Sequence, residues 1–292
     1  MKQKIFFIIN PISGTRKRLK ARIPEFIETH LSKDFDFAIK YTESKGHARE
    51  LAREAVQNGF NIVAVAGGDG SVNEVASALI NTNAALAILP LGSGNGLARH
   101  LKYPLNIPKA LEVINKLKIQ KIDLCKYNEL TFCSTAGLGF DAYVAKLFSR
   151  DKVRGLYSYA RNIFRAVFQY PFFHYSLMAD GLEITGEAFL ITVFNANQYG
   201  YNFRVARQAD LQDGLLDVFI VNKFPKWKAF MLMGEVLSGM QEKSKYFQMI
   251  KAKNIVINTE KRLHFQIDGE SVPKEKQVQI NIIPEGLRIL IP

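Results

Sequence analysis

The sequence predicts an α/β protein with an N-terminal parallel-sheet domain, a larger and mostly antiparallel β-sandwich domain, and a cleft between them. Its 292 residues are 48% apolar, enough to bury a full core and to divide into two domains rather than one. Strand-like segments alternate with helical ones up to about residue 121, whereas turn residues separate successive strands after it. We therefore expect residues 1–121 to form the first domain and residues 122–283 the second.

Strands that alternate with helices characterise the first domain. Such alternation is typical of a parallel sheet that helices cover on both faces. The predicted strands, read from apolar runs or period-two alternation, are residues 4–10, 35–41, 61–66 and 86–90. The predicted helices, read from an apolar period of 3.6 residues, are 23–31, 47–56, 72–79 and 108–117.

Short strands dominate the second domain. The predicted strands are residues 131–136, 187–195, 215–221, 252–258, 263–267 and 278–283, and turn residues between them favour antiparallel pairing. Two helical stretches interrupt these strands, at about 141–170 and 225–240. The last residues, 284–292, contain LRILIP, which could pair with either domain.

Charge and cysteine content narrow the range of partners and compartments. Lys and Arg number 39 against 27 Asp and Glu, which gives a net charge of +12 and predicts an anionic partner: nucleotide phosphates, an acidic membrane surface or nucleic acid. Cys125 and Cys133 are too few for a disulfide framework and lack metal-ligand spacing, which indicates a reducing, cytosolic setting. No apolar run approaches the roughly 18 residues of a membrane span, so we expect a soluble protein that is at most peripheral to a membrane.

Three glycine-rich turns follow predicted strands of the first domain. Gly67, Gly68 and Gly70 lie between a strand and a helix, the second turn is GSGNG (92–96), and NPISG (10–14) follows the first strand. Glycines before a helix N-terminus let a phosphate approach backbone N–H groups closely. A bare Gly-Gly-x-Gly is equally typical of a tight βα turn, but similar turns at one sheet edge favour a ligand site.

These turns belong to an ordered set of motifs that covers nearly the whole chain. The set is NPISG (10–14), YTESKGHA (41–48), GGDGSVNEV (67–75), LPLGSGNGLA (89–98), GLGFDA (137–142), DLQDGLLDV (210–218) and IDGE (267–270). It resembles the bacterial members of the diacylglycerol kinase family, lipid kinases that share a catalytic domain with sphingosine and ceramide kinases. GGDG alone also occurs in NAD kinases and relatives of phosphofructokinase, whereas GGDG followed by GSGN and a late DGE is specific. Ser71 stands where the family more often has Thr and retains the hydroxyl.

The resemblance implies that ATP binds across the loops of the first domain. Glu74, one turn into its helix, has two readings: it contacts the nucleotide, or it favours the helix dipole as an early acidic residue. The residues that the resemblance places at the nucleotide are Asn10, Pro11, Ser13, Gly14, Thr42, Gly67, Gly68, Asp69, Gly70, Ser71, Val72, Asn73, Glu74, Ser93, Gly94 and Asn95.

The resemblance also implies a structural Mg²⁺ in the second domain. The family's carboxylate maps onto Asp213, and its backbone carbonyls map onto Asp210 and Leu215. Oxygen ligands on a turn suit a hard cation. From the residues alone, DLQDG is also typical of an ordinary Asp-Gly turn before a strand.

The IDGE motif supplies the carboxylate pair that the resemblance makes catalytic. Glu270 is implied as the base that accepts the proton of the lipid hydroxyl, with Asp268 close by, and some relatives point to Asp69 instead. Both side chains at 268 and 270 could project from one tight turn toward the cleft. An isolated Asp-Gly-Glu is otherwise typical of a hairpin turn.

The acceptor must be read from other segments. Aromatic residues alternate with Lys and Arg over residues 140–175, as in a face that meets an anionic bilayer, although core aromatics with a solvated basic side fit the same pattern. The basic cluster TRKRLKAR (15–22) could contact phosphate, membrane or solvent.

The leading hypothesis is a cytoplasmic, peripherally membrane-associating kinase that uses ATP and Mg²⁺ to phosphorylate a diacylglycerol-like lipid. A sphingoid base or phosphatidylglycerol is the alternative acceptor, and an NAD-kinase-like enzyme is the more distant alternative. A nucleic-acid-binding module is suggested only by the charge and the aromatic–basic stretch, and no RNA- or DNA-binding signature is present, so we expect no nucleic-acid partner. The sequence leaves a homodimer open.

Overall fold

The computed structural model describes residues 2–14, 17–150, 165–199, 203–241 and 244–292. The chain forms two compact units. Unit 1 contains Met1–Leu124 and Ile283–Pro292, and unit 2 contains Cys125–Tyr199 and Phe203–Ile282.

A parallel sheet forms the centre of unit 1. Its first four strands are β1 (Gln3–Ile9), β2 (Phe35–Tyr41), β3 (Ile62–Gly67) and β4 (Ala85–Pro90), in the spatial order β4, β3, β1, β2. Ile9 is the register partner of both Tyr41 and Ala66, and Gly67 is the partner of Pro90. Because these parallel strands end level with one another, the segments that follow them begin at one edge of the sheet.

Helices pack on this sheet. Every residue of β3 and β4 is buried, as expected for a parallel sheet that is covered on both faces. The helices are α1 (Lys17–Ala21), α2 (Ile23–His30), α3 (His47–Gln57), α4 (Asp69–Leu79), α5 (Gly96–His100) and α6 (Ile107–Lys116). Helix α3 buries an apolar stripe along one side, and its members are Ala48, Leu51, Ala52 and Ala55.

Antiparallel strands form unit 2. They are the end of β5 (Ile119–Tyr127), β6 (Leu130–Phe132), β7 (Thr135–Gly139), β8 (Phe173–Ala179), β9 (Leu182–Phe194), β10 (Leu216–Asn222), β11 (Phe247–Ala252), β12 (Asn254–Ile267) and the first part of β13 (Glu270–Leu290). Their order is β11, β10, β9, β7, β12, β13, and β8 pairs with both β9 and β12. The predicted α/β class, with a parallel first sheet and a mostly antiparallel second one, is confirmed.

The end of β13 lies in unit 1. Arg288 and Ile289 pair in parallel with Ala85 and Leu86 of β4. The Asn81 N–H also donates to the carbonyl of residue 286 at 3.0 Å. The final residues, which the sequence left free to join either domain, therefore extend the parallel sheet.

Two apolar clusters form the core of unit 2. One lies against the sheet and includes Leu138, Ile191 and Phe265. The other joins the start of α7 (Phe140–Arg150) to the buried side of α8 (Ala229–Ser238), which follows a 3-10 turn at Lys226–Lys228. The largest members of this second cluster are Phe140, Phe189, Phe194, Phe219 and Phe224.

Several aromatic side chains of the predicted aromatic–basic segment pack inward. Tyr143, Tyr170 and Phe172 contact the second cluster, and Phe168 is exposed. This agrees with the core interpretation for those three residues. Residues 151–164 of the segment lie outside the described residues, among them Lys152, Arg154, Tyr157, Tyr159, Arg161 and Phe164. Thr15 and Arg16 of the basic cluster lie outside them too.

Candidate functional site

Three loops meet at the carboxyl-end edge of the unit 1 sheet. They are residues 10–14, 67–71 and 91–96, at the ends of β1, β3 and β4, and the second and third include the first residues of α4 and α5. The Asn10 side-chain amide donates to Ser71 Oγ at 2.8 Å, which ties the first loop to the second. The N–H groups of residues 91 and 92 donate to the carbonyl of Gly67 at 2.9 and 3.3 Å, which ties the third loop to the second.

Glycines make this close approach of the loops possible. A Cβ atom on Gly92 would lie 2.6 Å from Gly68 Cα, a distance that real Cβ atoms do not adopt. Gly14 has a φ of +64°, and a Cβ there would collide with the Leu91 carbonyl. The glycines therefore serve loop packing directly. Their tight contact also leaves backbone, rather than side chains, lining this part of the sheet edge.

Asp69 lies at the start of α4 and reaches the third loop. Its Oδ1 accepts the N–H of Gly96, the first residue of α5, at 2.6 Å. Asn95 stabilises the same loop, because its left-handed backbone (φ 51°) lets its amide donate to the Gly92 carbonyl at 2.7 Å. The Asp69 carboxylate thus contributes to the N-terminal cap of α5, a role that sequence reasoning did not identify.

Glu74 occupies a position that neither sequence interpretation described. Its two carboxylate oxygens accept the N–H groups of Gly46 and Ala48, at 2.8 and 3.2 Å, at the start of α3. The side chain therefore caps a neighbouring helix. A contact between Glu74 and a nucleotide stays a prediction.

Lys20 is a further residue of this edge, within the basic cluster 15–22. The residue is buried, and its ammonium donates to the Pro11 carbonyl in the first loop at 2.5 Å. Its placement puts one positive charge at a loop predicted to receive phosphate. Among the other predicted nucleotide residues, Thr42 is buried at the end of β2, whereas Ser93 is exposed.

The IDGE motif of unit 2 is a two-residue hairpin between β12 and β13. Asp268 and Gly269 have φ values of 48° and 82°, the pattern of a type I′ turn. The Asp268 carboxylate accepts three backbone N–H groups, those of residues 133, 134 and 135, at 2.9, 2.8 and 3.0 Å. Glu270, the register partner of Ile267, is exposed. The two acids therefore differ: one is anchored to backbone and the other is accessible.

A polar network behind this turn was missed by sequence reasoning. Gln266 Oε1 accepts the Gly269 N–H at 2.8 Å, and its amide lies 3.4 Å from Asp141 Oδ2. The Thr192 hydroxyl donates to the same oxygen at 2.8 Å and lies 2.7 Å from the Tyr199 hydroxyl. Desolvation of the carboxyl raises the pKa of Asp141 to about 7. Its place in GLGFDA, directly after a strand, is the sequence signal that could have drawn attention to it.

Two family models match the chain in sequence. The diacylglycerol kinase catalytic domain matches residues 4–127, and the YegS C-terminal NAD kinase beta sandwich-like domain matches residues 134–291. The chain belongs to the diacylglycerol kinase family. It is therefore an enzyme of the lipid kinase class, which agrees with the motifs at the three loops and the late hairpin.

Individual relatives of this diacylglycerol kinase family member have low sequence identity but long coverage. A protein of Pseudomonas aeruginosa named "Probable lipid kinase YegS-like" is 29% identical over 261 residues, 88% of this chain and 85% of its own length. The "Diacylglycerol kinase" of Bacillus subtilis is 24% identical over 275 residues, 90% and 88% of the two lengths. A crystal structure of a diacylglycerol kinase from Bacillus anthracis has a TM-score of 0.81 at 26% identity and covers 99% of this chain and 97% of that chain.

Kinases of this family imply an ATP site, and the loop edge of unit 1 fits one. The second and third loops meet through backbone, as the contact predicted for a Gly92 Cβ demonstrates. Gly68 is the N-cap of helix α4, and it makes no side-chain hydrogen bond there. An N-terminus of this kind presents backbone N–H groups and a partial positive charge to an anion.

The carboxylate that is predicted to hold a structural Mg²⁺ pairs with a lysine in this structure, and its assignment to a metal stays a prediction. Asp213 Oδ1 accepts the Leu215 N–H at 3.0 Å, and its Oδ2 lies 2.7 Å from the ammonium of Lys251. The same ammonium lies 3.3 Å from the buried carboxylate of Asp217. In Asp210, Oδ1 accepts the Gln212 N–H at 3.0 Å. Among the described residues, no three His, Cys, Asp or Glu side chains are grouped as metal ligands.

Proposed function

We propose that this kinase transfers the γ-phosphate of ATP to the hydroxyl of a diacylglycerol-like lipid. The observation that carries the proposal is the meeting of three glycine-rich loops at one edge of a parallel sheet, in a chain of the diacylglycerol kinase family. Phosphoryl transfer needs little covalent help from a protein, because positioning and charge stabilisation supply most of the catalysis. An edge that presents backbone N–H groups to an anion suits that requirement.

Each unit has its own role in this proposal. In unit 1, the N-terminus of α4 and the Lys20 ammonium stabilise the phosphates, and a divalent cation bound with ATP supplies further neutralisation. In unit 2, Glu270 accepts the proton of the attacking hydroxyl. The hydroxyl oxygen forms a bond to the γ-phosphorus while the bond from that phosphorus to the bridging oxygen breaks, and ADP leaves.

Accessibility favours Glu270 over Asp69 as the base. Asp69 Oδ1 already accepts the Gly96 N–H at 2.6 Å, so this carboxylate helps to hold the third loop. Glu270 is exposed and follows a turn that is held by Asp268 and Gln266. We therefore assign Asp69 to orientation of the third loop and of groups bound there, and assign the proton to Glu270.

Diacylglycerol-like lipids reside in bilayers, so a kinase that phosphorylates one has to reach a membrane surface. We propose peripheral association from the cytoplasmic side, supported by the net charge of +12. Within the described ranges, no helix is long and apolar enough to span a bilayer.

The test is an ATP-dependent phosphorylation assay with defined acceptors and identification of products by mass spectrometry. The acceptors are a diacylglycerol, phosphatidylglycerol, sphingosine and NAD, each in the presence of Mg²⁺. We expect a phosphorylated lipid, with diacylglycerol as the best acceptor. The NAD arm is included because the second family model is named for an NAD kinase-like β-sandwich. Phosphorylation of NAD with no phosphorylated lipid among the products would overturn the proposal.

A further inference from the structure

Helix α8 and the turn before it carry an unusual concentration of exposed apolar side chains. Trp227, Phe230 and Leu237 are 72%, 62% and 60% exposed. Elsewhere in the described ranges, the large exposed apolar residues are scattered along the chain, singly or in pairs. The full exposed set between residues 227 and 240 is Trp227, Phe230, Met231, Met233, Leu237 and Met240.

This helix is apolar on both of its sides. Leu232 and Val236 are buried in the aromatic cluster of unit 2, while Phe230, Met233 and Leu237 of the same helix are exposed. A helix that is hydrophobic all round is normally enclosed by protein or lipid. Glu235 is the acidic residue of α8, and it is half-buried rather than part of the exposed set. We call the exposed side chains from 227 to 240 the α8 surface.

Lys226 holds in place the 3-10 turn at which the α8 surface begins. The Lys226 ammonium donates to the carbonyls of Val167 and Tyr170 at 2.9 and 2.7 Å, and lies 4.1 Å from the ring centre of Phe189. These contacts fix the start of α8 to the rest of unit 2. The α8 surface is therefore already ordered before binding, which lowers the entropy cost of binding.

Charge identifies the occupant of this surface. Lys228 lies next to Trp227, with its ammonium 5.2 Å from the ring centre, and the ammonium groups of Lys228 and the exposed Lys245 lie 5.3 and 5.5 Å from the Tyr246 ring centre. A symmetric contact with a second copy would bring the lysines of the two copies together, and their like charges would repel. An anionic bilayer instead offers acyl chains to the apolar side chains and phosphates to the lysines, and tryptophan favours the interface between the two.

We propose that the α8 surface docks the kinase on anionic membranes by inserting Trp227, Phe230 and Leu237 among the lipid head groups. The inference rests on the proposed function, since it supplies access to a bilayer-resident acceptor. Burial of one such side chain changes the affinity for the membrane by roughly tenfold or more, so the loss of two of these side chains should be easily measured.

Trp227 is the single tryptophan of the chain, so its fluorescence reports on this surface directly. The probe is vesicles of equal parts phosphatidylglycerol and phosphatidylcholine, with phosphatidylcholine alone for comparison. We expect a blue shift with the anionic vesicles and quenching by brominated acyl chains. Emission that is unchanged at saturating anionic vesicles would overturn the inference.

A double variant with a matched control separates insertion from general surface effects. Phe230→Ser with Leu237→Ser should weaken vesicle binding at least about tenfold. Leu182→Ser removes an equally exposed leucine, 57% exposed at the start of β9, and should bind as the wild type does. Equal loss in both variants contradicts the inference, as does self-association that the double variant abolishes without any vesicle binding.

Activity is measured separately so that the two proposals can fail separately. With a short-chain diacylglycerol dispersed in detergent, the double variant should keep wild-type turnover, while its rate on vesicles falls. Trp227 insertion without phosphorylation of any lipid would contradict the proposed function alone. Turnover on vesicles that the double variant retains in full would contradict the α8 surface alone.

Discussion

Two aspartates in glycine-containing turns illustrate how differently similar motifs are used in the two units. In unit 1, the Asp69 carboxylate of GGDG accepts the N–H of Gly96 at the start of a neighbouring helix. In unit 2, Asp268 of IDGE accepts three, from residues 133, 134 and 135. A carboxylate that accepts several N–H groups is a structural anchor, whose removal strands backbone donors. The accessible acid next to such an anchor, here Glu270, is the better candidate for proton transfer.

Glu270→Gln should have the largest effect and would separate the accessible acid from the anchored one. We expect kcat to fall about a thousandfold, because a general base typically contributes factors of that order, while the thermal midpoint stays unchanged at this exposed site. Steady-state kinetics with a diacylglycerol acceptor and circular dichroism melting are the measurements. Glu183→Gln, at an exposed position of β9, is the matched control. Near-normal kcat in Glu270→Gln would leave Asp69 as the stronger candidate.

Asp268→Ala and Asp69→Ala test the comparison as a difference in stability. The first leaves three backbone N–H groups without the carboxylate and should lower the free energy of unfolding by about 3 kcal/mol, the second by about 1 kcal/mol. Urea denaturation followed by Trp227 fluorescence reports on unit 2, and circular dichroism reports on both units. Equal costs for the two variants would show that the three N–H groups held by Asp268 add no stability beyond what Asp69 supplies.

The comparison also shows what the sequence could predict. The parallel sheet, its loops and the hairpin at Asp268 follow from local patterns of strand, glycine and acid. The partners of the side chains do not: Glu74 binds N–H groups 26 and 28 residues away, and Asp268 binds groups more than 130 residues away. The sequence around Asp213 does not predict its ion pair with Lys251, which is 38 residues further along the chain. Roles that depend on folded contacts therefore had to be read from the structure.

Lys251→Met extends the comparison to an acid that is held by a side chain instead of by backbone. Lys251 pairs with Asp213 and with the buried Asp217, whose pKa is raised by desolvation. Loss of the ammonium leaves a buried carboxylate, so we expect about 2 kcal/mol of destabilisation. Thermal melting with EDTA and with Mg²⁺ is the measurement.

The wild type should melt identically in EDTA and Mg²⁺, because the Lys251 ammonium already pairs with both acids. Stabilisation of Lys251→Met by Mg²⁺ would mean that the lysine takes the place of a cation in this chain. Stabilisation of the wild type by Mg²⁺ would support the metal assignment at Asp213 instead. Lys253→Met, a nearby lysine of the same charge, is the control.

Asp141 gives the most gradual effect, a dependence of stability on pH. Its folded pKa of about 7 lies above the ordinary value of 3.8, so folding favours the protonated carboxyl. Its contribution is present below pH 4 and is lost as the pH rises toward 7, by at most about 1.4 kcal/mol per pH unit. Tyr199 does not titrate in this range, because burial raises its pKa well above the usual value.

Asp141→Asn removes that titration and keeps an acceptor for the Ala142 N–H, which lies 2.7 Å from Oδ1. The variant should gain stability relative to the wild type with each step from pH 5 to pH 7, as urea denaturation at several pH values would show. The Asp141 network reaches Gly269 through Gln266, so the same series should change kcat more than KM. A constant stability difference across the range would mean that the carboxyl is ionised in the folded state, and that the hairpin of Asp268 and Glu270 has a charged support behind it.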